Sequence, residues 1–474
     1  MEQNSELPVG VIGAGPVGLA AAAHLIARGI RPMILEKGAS AGSSLRDWSH
    51  VRVFSPWRYI IDPSAAALLS AAGWKEPDME ALPTGGEIIT RYLEPLAGVP
   101  QISVNTVYGA TVTSVTRQGL DKLSDGGRGQ APFVIRIEDA DGNERRITAR
   151  AVLDASGTWD SPNPLGIDGL PVPCERQLTD KITYGIPDVS GRDRADYAGA
   201  TVLVVGSGHS AINAVIGLME VQEHAPQTRV LWGLRRNQME RLLGGGLNDQ
   251  LPARGNLGLA ASRAIESGRV QLLAPLAIQS LRRSGDRVEV EALQDGVPVR
   301  VTVDRIIVTT GFRPNLDMLR ELRLDLDPAV EAPRLLAPMI DPNVHSCGTV
   351  PPHGVMELMQ PERGFFIVGS KSYGRAPTFL MATGYEQVRS VAAELAGDVK
   401  AAREVHLVLP ETGVCSAGNA SDQSGSSAGC CGGPAPIEAE ACCQADLAAK
   451  AEGRSGCGCG CGSTAKEPSL EPAE

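Results

Sequence analysis

The chain has 474 residues, a formal net charge of −11, 43% hydrophobic residues and 21% charged residues. This length is enough for two or three domains with sizeable cores, and the composition is typical of a globular protein. The acidic charge argues against nucleic acid or an anionic membrane as the main partner. No apolar stretch is long enough to span a bilayer, and the acidic N-terminus is unlike a signal peptide, so we expect a cytoplasmic protein.

Residues 9–36 have the pattern of a dinucleotide-binding βαβ unit, with strand, glycine turn, helix and strand in order. The parts are an apolar strand, the turn Gly13-Ala14-Gly15-Pro16-Val17-Gly18, a helix over 17–28 and a strand that ends in Glu36. Gly13 allows the tight turn, Gly15 lets the backbone approach a pyrophosphate, and Gly18 lets the helix pack on the strand. The helix N-terminus offers N–H groups to the phosphates, and Glu36 is placed to accept hydrogen bonds from ribose hydroxyls.

The next part of the chain is predicted to contain two helices and then strands. The helices cover 64–72 and 86–97, and the strands cover 102–117 and 132–153, with a polar loop between the strands. The last strand runs into Asp154-Ala155-Ser156-Gly157-Thr158-Trp159. A crossover between domains is then indicated by four prolines: Pro162, Pro164, Pro171 and Pro173.

A second glycine fingerprint follows an apolar strand over 201–205. It reads Gly206-Ser207-Gly208-His209-Ser210-Ala211, and a helix to about residue 222 and a strand over 228–232 come after it. Arg235 and Arg236 follow that strand, at the place where the first unit has its acid. An arginine there suits a 2′-phosphate, and therefore NADPH rather than NADH. The alternative is a solvated basic turn.

Short strands are predicted over 268–308, and the last of them runs into Thr310-Gly311-Phe312-Arg313-Pro314. A further strand within 364–370 ends at Gly369, and a long helix follows at about 378–396. A strand-to-helix junction of this kind offers helix N–H groups to an anion or a ring oxygen. The globular pattern ends near residue 408.

The chain resembles two-dinucleotide-binding flavoproteins over about residues 8–400, and among them the flavin-containing monooxygenases. The resemblance rests on the two glycine turns with Glu36, on Ala155-Ser156-Gly157-Thr158-Trp159 and on the strand-end motif 310–314. It implies an α/β fold with two Rossmann-like domains, in which an FAD-binding domain (1–190 and 316–408) is interrupted by an NADPH-binding domain (191–315). FAD would bind the first unit and NADPH the second, and the flavin would carry the redox chemistry.

Segments 48–58 and 182–188, together with a cysteine-rich C-terminus, are similar to flavin monooxygenase-like proteins associated with arsenic resistance in bacteria. This resemblance implies a small arsenical as substrate. Two departures from the monooxygenase pattern leave an NADPH-dependent reductase of thiols or metalloids as the alternative. The motif F-x-G-x-x-x-H is replaced by residues 170–177, which contain no histidine, and Gly369 is followed by Ser370 where an aspartate is usual. The chain has no Cys-x-x-Cys motif, so we do not expect a relay from the flavin to a core disulfide.

Two residues are candidates for catalysis. Cys347, within His345-Ser346-Cys347-Gly348, precedes the last strand of the flavin domain and could bring a thiol to the isoalloxazine. The alternative is a buried cysteine without chemistry. His50 shares its segment with Arg52 and Arg58, which could line the flavin or an anionic substrate; the alternative is ordinary polar surface between core aromatic residues.

Residues 409–474 are predicted to be a disordered tail, since they contain many Gly, Ala and Ser and no aromatic residue. Clustered thiolates suit soft metals and metalloids such as arsenite, and adjacent cysteines supply two ligands at little loop-closure cost. The candidate ligands are Cys430, Cys431, Cys442, Cys443, Cys457, Cys459 and Cys461. A tail without a ligand is the alternative. A third possible function is a flavoprotein that sequesters or senses a metalloid.

Overall fold

Two five-stranded parallel sheets form the centre of the protein. The computed structural model describes residues 6–236, 252–343, 350–376 and 379–407. The strands in these residues are β1 (Val9–Ile12), β2 (Pro32–Leu35), β3 (Thr106–Val107), β4 (Thr111–Arg117), β5 (Phe133–Glu138), β6 (Glu144–Ala149), β7 (Ala151–Asp154), β8 (Ile182–Tyr184), β9 (Thr201–Val205), β10 (Arg229–Gly233), β11 (Val270–Leu273), β12 (Leu276–Ser284), β13 (Arg287–Gln294), β14 (Val297–Val303), β15 (Arg305–Val308) and β16 (Phe365–Ile367). The α-helices are α1 (Pro16–Ala27), α2 (Ser43–Arg46), α3 (Pro63–Ala71), α4 (Gly85–Ile88), α5 (Glu94–Gly98), α6 (Pro100–Ser103), α7 (Arg194–Tyr197), α8 (His209–His224), α9 (Pro252–Glu266), α10 (Ala337–Ile340), α11 (Val355–Leu358), α12 (Met381–Leu395) and α13 (Val399–Arg403).

The first sheet has the strand order β16-β7-β1-β2-β3, and neighbouring strands run parallel. Val11 of β1 lies opposite Ile34 of β2 and Leu153 of β7. Every residue of β1 and of β7 is buried, as expected for a parallel sheet that is covered on both faces. Helix α1 packs against α12 on this sheet.

Helix α1 has sequence signals at both of its ends. Pro16 occupies the first helical turn, where its missing N–H costs nothing. Gly29 adopts φ +69 just beyond the last turn, a conformation that favours glycine and ends the helix. The alanine-rich side between them is buried against the sheet. These signals explain why the predicted helix 17–28 agrees with the observed one to within one residue at each end.

The second sheet has the strand order β11-β10-β9-β15-β8 and is also parallel. All of its strands lie in the sequence between β7 and β16, which are neighbours in the first sheet. One unit is therefore inserted in the other, which confirms the predicted α/β fold with an interrupted first domain. Strand β8 belongs to the second sheet although it precedes residue 191, where the NADPH-binding domain is predicted to begin. The domain boundaries stay a prediction.

Each unit also carries a three-stranded antiparallel sheet, β4-β5-β6 in the first and β12-β13-β14 in the second. The predicted polar loop between β4 and β5 is held by a buried cluster of charges. Arg117 Nε and Arg128 Nη2 each lie 2.7 Å from a carboxylate oxygen of Glu362. Burial raises the pKa of Glu362, but the hydrogen bonds from both arginines outweigh it, so the pKa is lowered overall. The cluster fixes the loop to the segment that leads into β16.

Two predicted elements differ from the observed ones. The predicted strand 102–117 starts too early, because Pro100 begins the short helix α6 and the first strand residue is Thr106. The predicted helix 86–97 is present as α4 and α5, joined by the π-helical turn Ile89–Leu93.

The predicted tail, with its candidate metal ligands, lies outside the described residues, and so does Cys347. No helix in the described parts of the chain combines the length and the apolar character needed to cross a membrane. In the same parts, no three His, Cys, Asp or Glu side chains converge in a way that could hold a metal ion.

Candidate cofactor and active site

The first glycine turn has the shape that a bound pyrophosphate requires. Gly13 adopts φ +99, and a Cβ there would lie 2.8 Å from the carbonyl oxygen of Ala155. A Cβ on Gly18 would lie 2.0 Å from the carbonyl oxygen of Gly13, so this contact between helix and turn needs glycine. No atom lies within 4 Å of a Cβ built on Gly15. The turn therefore leaves open space at Gly15, directly before the N-terminus of α1, and fits the phosphates of a dinucleotide.

Glu36 is nearly buried and makes three hydrogen bonds inside the protein. Its Oε2 accepts from the backbone N–H of Ala14 at 2.7 Å, and its Oε1 accepts from the N–H of Gly38 at 2.7 Å and from Ser43 Oγ at 2.5 Å. A carboxylate offers about four acceptor positions, so one remains for a ribose hydroxyl. The acid thus both holds the glycine turn and keeps an acceptor for the predicted ribose contact. The sequence analysis did not identify Ser43 or Gly38 as its partners.

Two further turns lie at the same edge of the first sheet, after β7 and β16. Gly157 adopts φ +71 and Gly369 adopts φ +70, and a Cβ on Gly369 would lie 3.3 Å from Val17 of α1. Since β7 and β16 are the next strands beside β1, the structure brings Gly157 and Gly369 together with the Gly13 turn. The carboxyl edge of a parallel sheet is where dinucleotides bind in this architecture.

The second unit repeats the same arrangement. Gly206 adopts φ +140, and a Cβ there would lie 2.4 Å from the carbonyl oxygen of Thr309. No atom lies within 4 Å of a Cβ on Gly208, which directly precedes α8. His209 and Ser210 form the first turn of that helix, and Gly311 follows β15 with φ +90. This edge fits the phosphates of a second dinucleotide.

Arg235 and Arg236 follow β10 and have exposed side chains. They make no ion pair with another residue in the described parts of the chain. Strand β10 is the neighbour of β9, which leads into the second glycine turn. Both arginines therefore follow the strand next to the second glycine turn, and their contact with a 2′-phosphate stays a prediction.

Aromatic side chains connect the two units. The ring centroids of Phe54 and His209 are 5.1 Å apart, and those of Trp159 and Phe312 are 4.8 Å apart. Trp159 Nε1 also donates to Asp47 Oδ2 at 2.7 Å. One ring pair joins segment 48–58 to the second glycine turn, and the other joins the turn after β7 to the turn after β15. We refer to the region between the carboxyl edges of the two sheets as the cleft.

His50 belongs to the first-unit segment that borders this cleft. Its Nε2 is buried and has no hydrogen-bond partner among the described residues. A buried polar nitrogen without a partner is costly, which favours a role towards a ligand. The neighbouring arginines are engaged instead with the protein surface: Arg52 donates to the Leu82 carbonyl, and Arg58 pairs with Glu80.

The segment that replaces F-x-G-x-x-x-H is organised by Glu175. This buried carboxylate accepts from the N–H of Leu165 at 3.0 Å, from the N–H of Val172 at 2.8 Å and from the Tyr184 hydroxyl. Burial and the hydrogen bond to Glu175 raise the pKa of Tyr184. Cys174, the one cysteine within the described residues, is exposed. Hydrogen bonds to the Glu175 carboxylate thus stabilise this loop.

His353, which precedes the last flavin-domain strand, is buried in a polar network. Its Nδ1 lies 3.1 Å from the Pro351 carbonyl, and its Nε2 lies 2.9 Å from Gln387 Nε2. Since that carbonyl only accepts and that amide nitrogen only donates, the ring is neutral with its proton on Nδ1. Burial lowers the pKa of His353. Gln387 Oε1 in turn accepts from the N–H of Gly369 at 2.8 Å, so His353 supports the turn after β16.

Solved structures of other proteins share this architecture. A bacillithiol disulfide reductase from Bacillus cereus has a TM-score of 0.60 and 19% identity over 82% of this chain and 99% of its own. An FAD-bound cadaverine monooxygenase of desferrioxamine biosynthesis from Erwinia amylovora has a TM-score of 0.60 and 11% identity over 86% and 98%. An ornithine N-hydroxylase from Kutzneria sp. 744, with reduced FAD, NADP⁺ and ornithine, has a TM-score of 0.54 and 14% identity over 83% and 99%. At these identities the likeness shows the fold.

These structures confirm the predicted two-dinucleotide-binding fold, and FAD and NADP are cofactors found in this fold. The predicted oxidoreductase class is confirmed by a sequence family. The sequence model of the pyridine nucleotide-disulphide oxidoreductase family matches residues 11–336, which is well over half of the chain. The protein belongs to the pyridine nucleotide-disulphide oxidoreductase family.

Proposed function

We propose that this protein is an NADPH-dependent FAD oxidoreductase of the monooxygenase type that acts on a small substrate. The observation that carries the proposal is the pair of open glycine turns, at Gly15 and Gly208, each at the carboxyl edge of its own parallel sheet. The first turn would hold the pyrophosphate of FAD, with Glu36 on a ribose, and the second would hold NADPH, with Arg235 or Arg236 on its 2′-phosphate. Bound FAD supplies the redox chemistry by accepting a hydride and passing electrons to the acceptor.

The choice of electron acceptor rests on the cysteines. A disulfide relay needs two cysteines near the flavin, yet only Cys174 and Cys347 occur before residue 408. Cys174 is exposed on the loop organised by Glu175. These two residues do not form a Cys-x-x-Cys pair, which favours a small acceptor that enters the cleft over a core disulfide. His50 Nε2 is the candidate group for contacting that substrate, and Cys347 remains a candidate thiol.

The substrate class that we propose is an arsenical. The proposal rests on the similarity of segments 48–58 and 182–188 to arsenic-resistance flavoproteins and on the eight cysteines of the tail. Trivalent arsenic binds thiolates, so tail cysteines would capture arsenite and raise its concentration near the cleft.

The test follows NADPH oxidation and oxygen uptake together, with FAD-loaded full-length protein and with arsenite or methylarsenite as substrate. A monooxygenase consumes one NADPH, one proton and one O₂ for each oxygenated product and releases one water. We expect at least one of the two arsenicals to stimulate both NADPH oxidation and oxygen uptake, with pentavalent arsenic as product. A Gly208→Ala variant is the matched control, since it should retain FAD and lose the stimulation. Hydrogen peroxide formation without an oxygenated arsenical would contradict the proposal.

The second candidate function is an NADPH-dependent thiol or metalloid reductase, in which a disulfide or an oxidised metalloid accepts the electrons; it is favoured by the structural likeness to a bacillithiol disulfide reductase. This reaction consumes one NADPH and one proton for each disulfide reduced to two thiols and needs no oxygen. Anaerobic NADPH oxidation stimulated by a low-molecular-weight disulfide would support it. Activity that requires oxygen would exclude it.

Binding of a metalloid by the tail is tested separately. A full-length variant with serine at the seven candidate ligands, from Cys430 to Cys461, is compared with the unchanged protein for arsenite bound per chain in the presence of a phosphine reductant. We expect the variant to lose binding and to retain FAD. Equal binding by both proteins would contradict a role of these thiols. If the tail binds arsenite and the protein shows no arsenic-dependent NADPH use, sequestration or sensing is the better description.

A further inference from the structure

A fully buried ion pair lies at the carboxyl edge of the first sheet. Lys371 Nζ is 2.7 Å from Asp154 Oδ2, and the two side chains are 1% and 0% exposed. Burying two charges is expensive, and replacing such a pair with apolar side chains is often neutral or stabilising. A buried pair at this position is therefore weak support for stability, and its location indicates another role.

The pair holds one residue that is itself exposed. Ser156 Oγ donates to Asp154 Oδ1 at 2.6 Å and accepts from Lys371 Nζ at 3.1 Å. The Ser156 backbone N–H also donates to Asp154 Oδ1, at 3.1 Å. Ser156 is exposed at the sheet edge, and its Cα would lie 3.2 Å from a Cβ on Gly13. The buried charges thus fix a serine beside the turn that fits the FAD pyrophosphate.

The lysine belongs to the turn that follows the neighbouring strand, β16. Lys371 lies in the 3₁₀ turn Gly369–Tyr373, which follows β16. Gln387 of α12 stabilises the same turn with two hydrogen bonds. Its Oε1 accepts from the N–H of Gly369 at 2.8 Å, and its Nε2 donates to Ser372 Oγ at 2.9 Å. Lys371 therefore joins the turn after β16 to the turn after β7, whose strands are neighbours.

The pair does not use all of the hydrogen-bond donors of Lys371 or all of the acceptors of Asp154. An ammonium group has three donors, and two acceptors are present here. Asp154 Oδ2 has the close ion contact but no well-directed hydrogen bond among the described residues.

We propose that Asp154, Lys371 and Ser156 are positioning residues for FAD: they hold the Ser156-Gly157 turn against the Gly13 turn. This inference rests on the proposed binding of FAD to the first unit. The buried pair does not touch the cofactor; it acts through Ser156, which the pair orients with three hydrogen bonds.

The experiment measures FAD release from full-length holoprotein on dilution, by the fluorescence of the freed flavin, for Lys371→Met, Asp154→Asn and Ser156→Ala. We expect each variant to release FAD at protein concentrations at least about tenfold higher than the unchanged protein, which corresponds to about 1.4 kcal/mol. NADPH affinity, which depends on the second unit, should remain within about twofold in all of them.

Two variants separate positioning from stability. Glu362→Gln breaks a buried ion cluster before β16, at the opposite edge of the same sheet, and should lower the melting temperature without increasing FAD release. Ser156→Ala alters an exposed residue and should fold even if Lys371→Met does not. Release of FAD from Ser156→Ala and from a folded lysine variant at the concentration found for the unchanged protein would overturn the inference. An unchanged protein that binds no FAD would instead overturn the proposed function.

Discussion

The carboxylate of Glu36 accepts a hydrogen bond of 2.7 Å from the backbone N–H of Ala14, so the acid after β2 is bonded directly to the glycine turn after β1. The conformation of the phosphate-binding turn thus depends on the side chain expected to bind the ribose. We expect Glu36→Ala to lose most of its FAD, since an unsatisfied buried N–H costs about 1–3 kcal/mol. The FAD content of the purified protein measures this effect. Ser43→Ala removes one of the three internal hydrogen bonds and should retain more FAD than Glu36→Ala; equal losses would contradict this account.

The glycines of the first turn should respond differently to the same substitution. Gly15 has φ −80 and open space at its Cβ position, so Gly15→Ala should fold normally and fail to bind FAD, with a loss of at least about tenfold in affinity. Gly18→Ala would place a Cβ 2.0 Å from the Gly13 carbonyl oxygen and should destabilise the fold itself. Melting curves and flavin content, measured side by side, distinguish the two. A Gly15→Ala protein with full FAD content would disprove the pyrophosphate assignment.

The two exposed arginines after β10 should determine the choice of nicotinamide cofactor. We expect Arg235→Ala/Arg236→Ala to raise KM for NADPH about tenfold or more, because a charge-assisted hydrogen bond contributes about 1.5–3 kcal/mol. The KM for NADH should change little, since NADH has no 2′-phosphate. Steady-state kinetics with both nucleotides check this selectivity. Parallel increases for the two nucleotides would assign the arginines to another role.

Stability at mildly acidic pH should depend on His353. Burial lowers its pKa below the usual 6.5, so the unfolded chain takes up a proton before the native state does. The contribution of neutral His353 to the free energy of unfolding should therefore be fully present above about pH 6.5. It should be lost as the pH decreases towards the native pKa, by about 1.4 kcal/mol per unit of pKa shift. Glu357 and Glu386 act in the opposite sense on this ring. Urea unfolding at pH 7.5, 6.5 and 5.5 should show a smaller decrease for His353→Gln; the same decrease in both proteins would be inconsistent with this assignment.

His50 should affect turnover without affecting FAD retention. Its unpartnered group is Nε2, which the amide of glutamine reproduces better than that of asparagine. We therefore expect His50→Ala and His50→Asn to lower kcat/KM for the substrate by about tenfold or more, and His50→Gln to recover part of it, as for loss of one hydrogen bond. Substrate-stimulated NADPH oxidation provides the measurement. Full activity of His50→Ala would remove the residue from the site.

The two nucleotide-binding units could be predicted from the sequence because glycine spacing, strand hydrophobicity and helix ends are local signals. Gly13, Gly15, Gly18 and Glu36 have positions that follow from residues within one short segment. The partners of Asp154 could not be found in this way, since Lys371 is distant along the chain and meets it only through the pairing of β7 with β16. The place of His353 depends in the same way on a contact between distant segments, since its bond to Gln387 of α12 makes it part of the support of Gly369.

The crossovers between the units lie side by side, with the N–H of Asn163 donating to the Gly311 carbonyl at 2.9 Å and the N–H of Arg313 donating to the Ser161 carbonyl at 3.0 Å. The inserted unit thus leaves and re-enters its host at one place, and its last sheet strand, β15, is synthesised before β16. During synthesis, every strand of the second sheet is therefore made before β16, the edge strand of the first sheet. Strand β7 keeps an unpaired side until β16 emerges, and because the inserted unit ends where it began, β16 is then made close to β7.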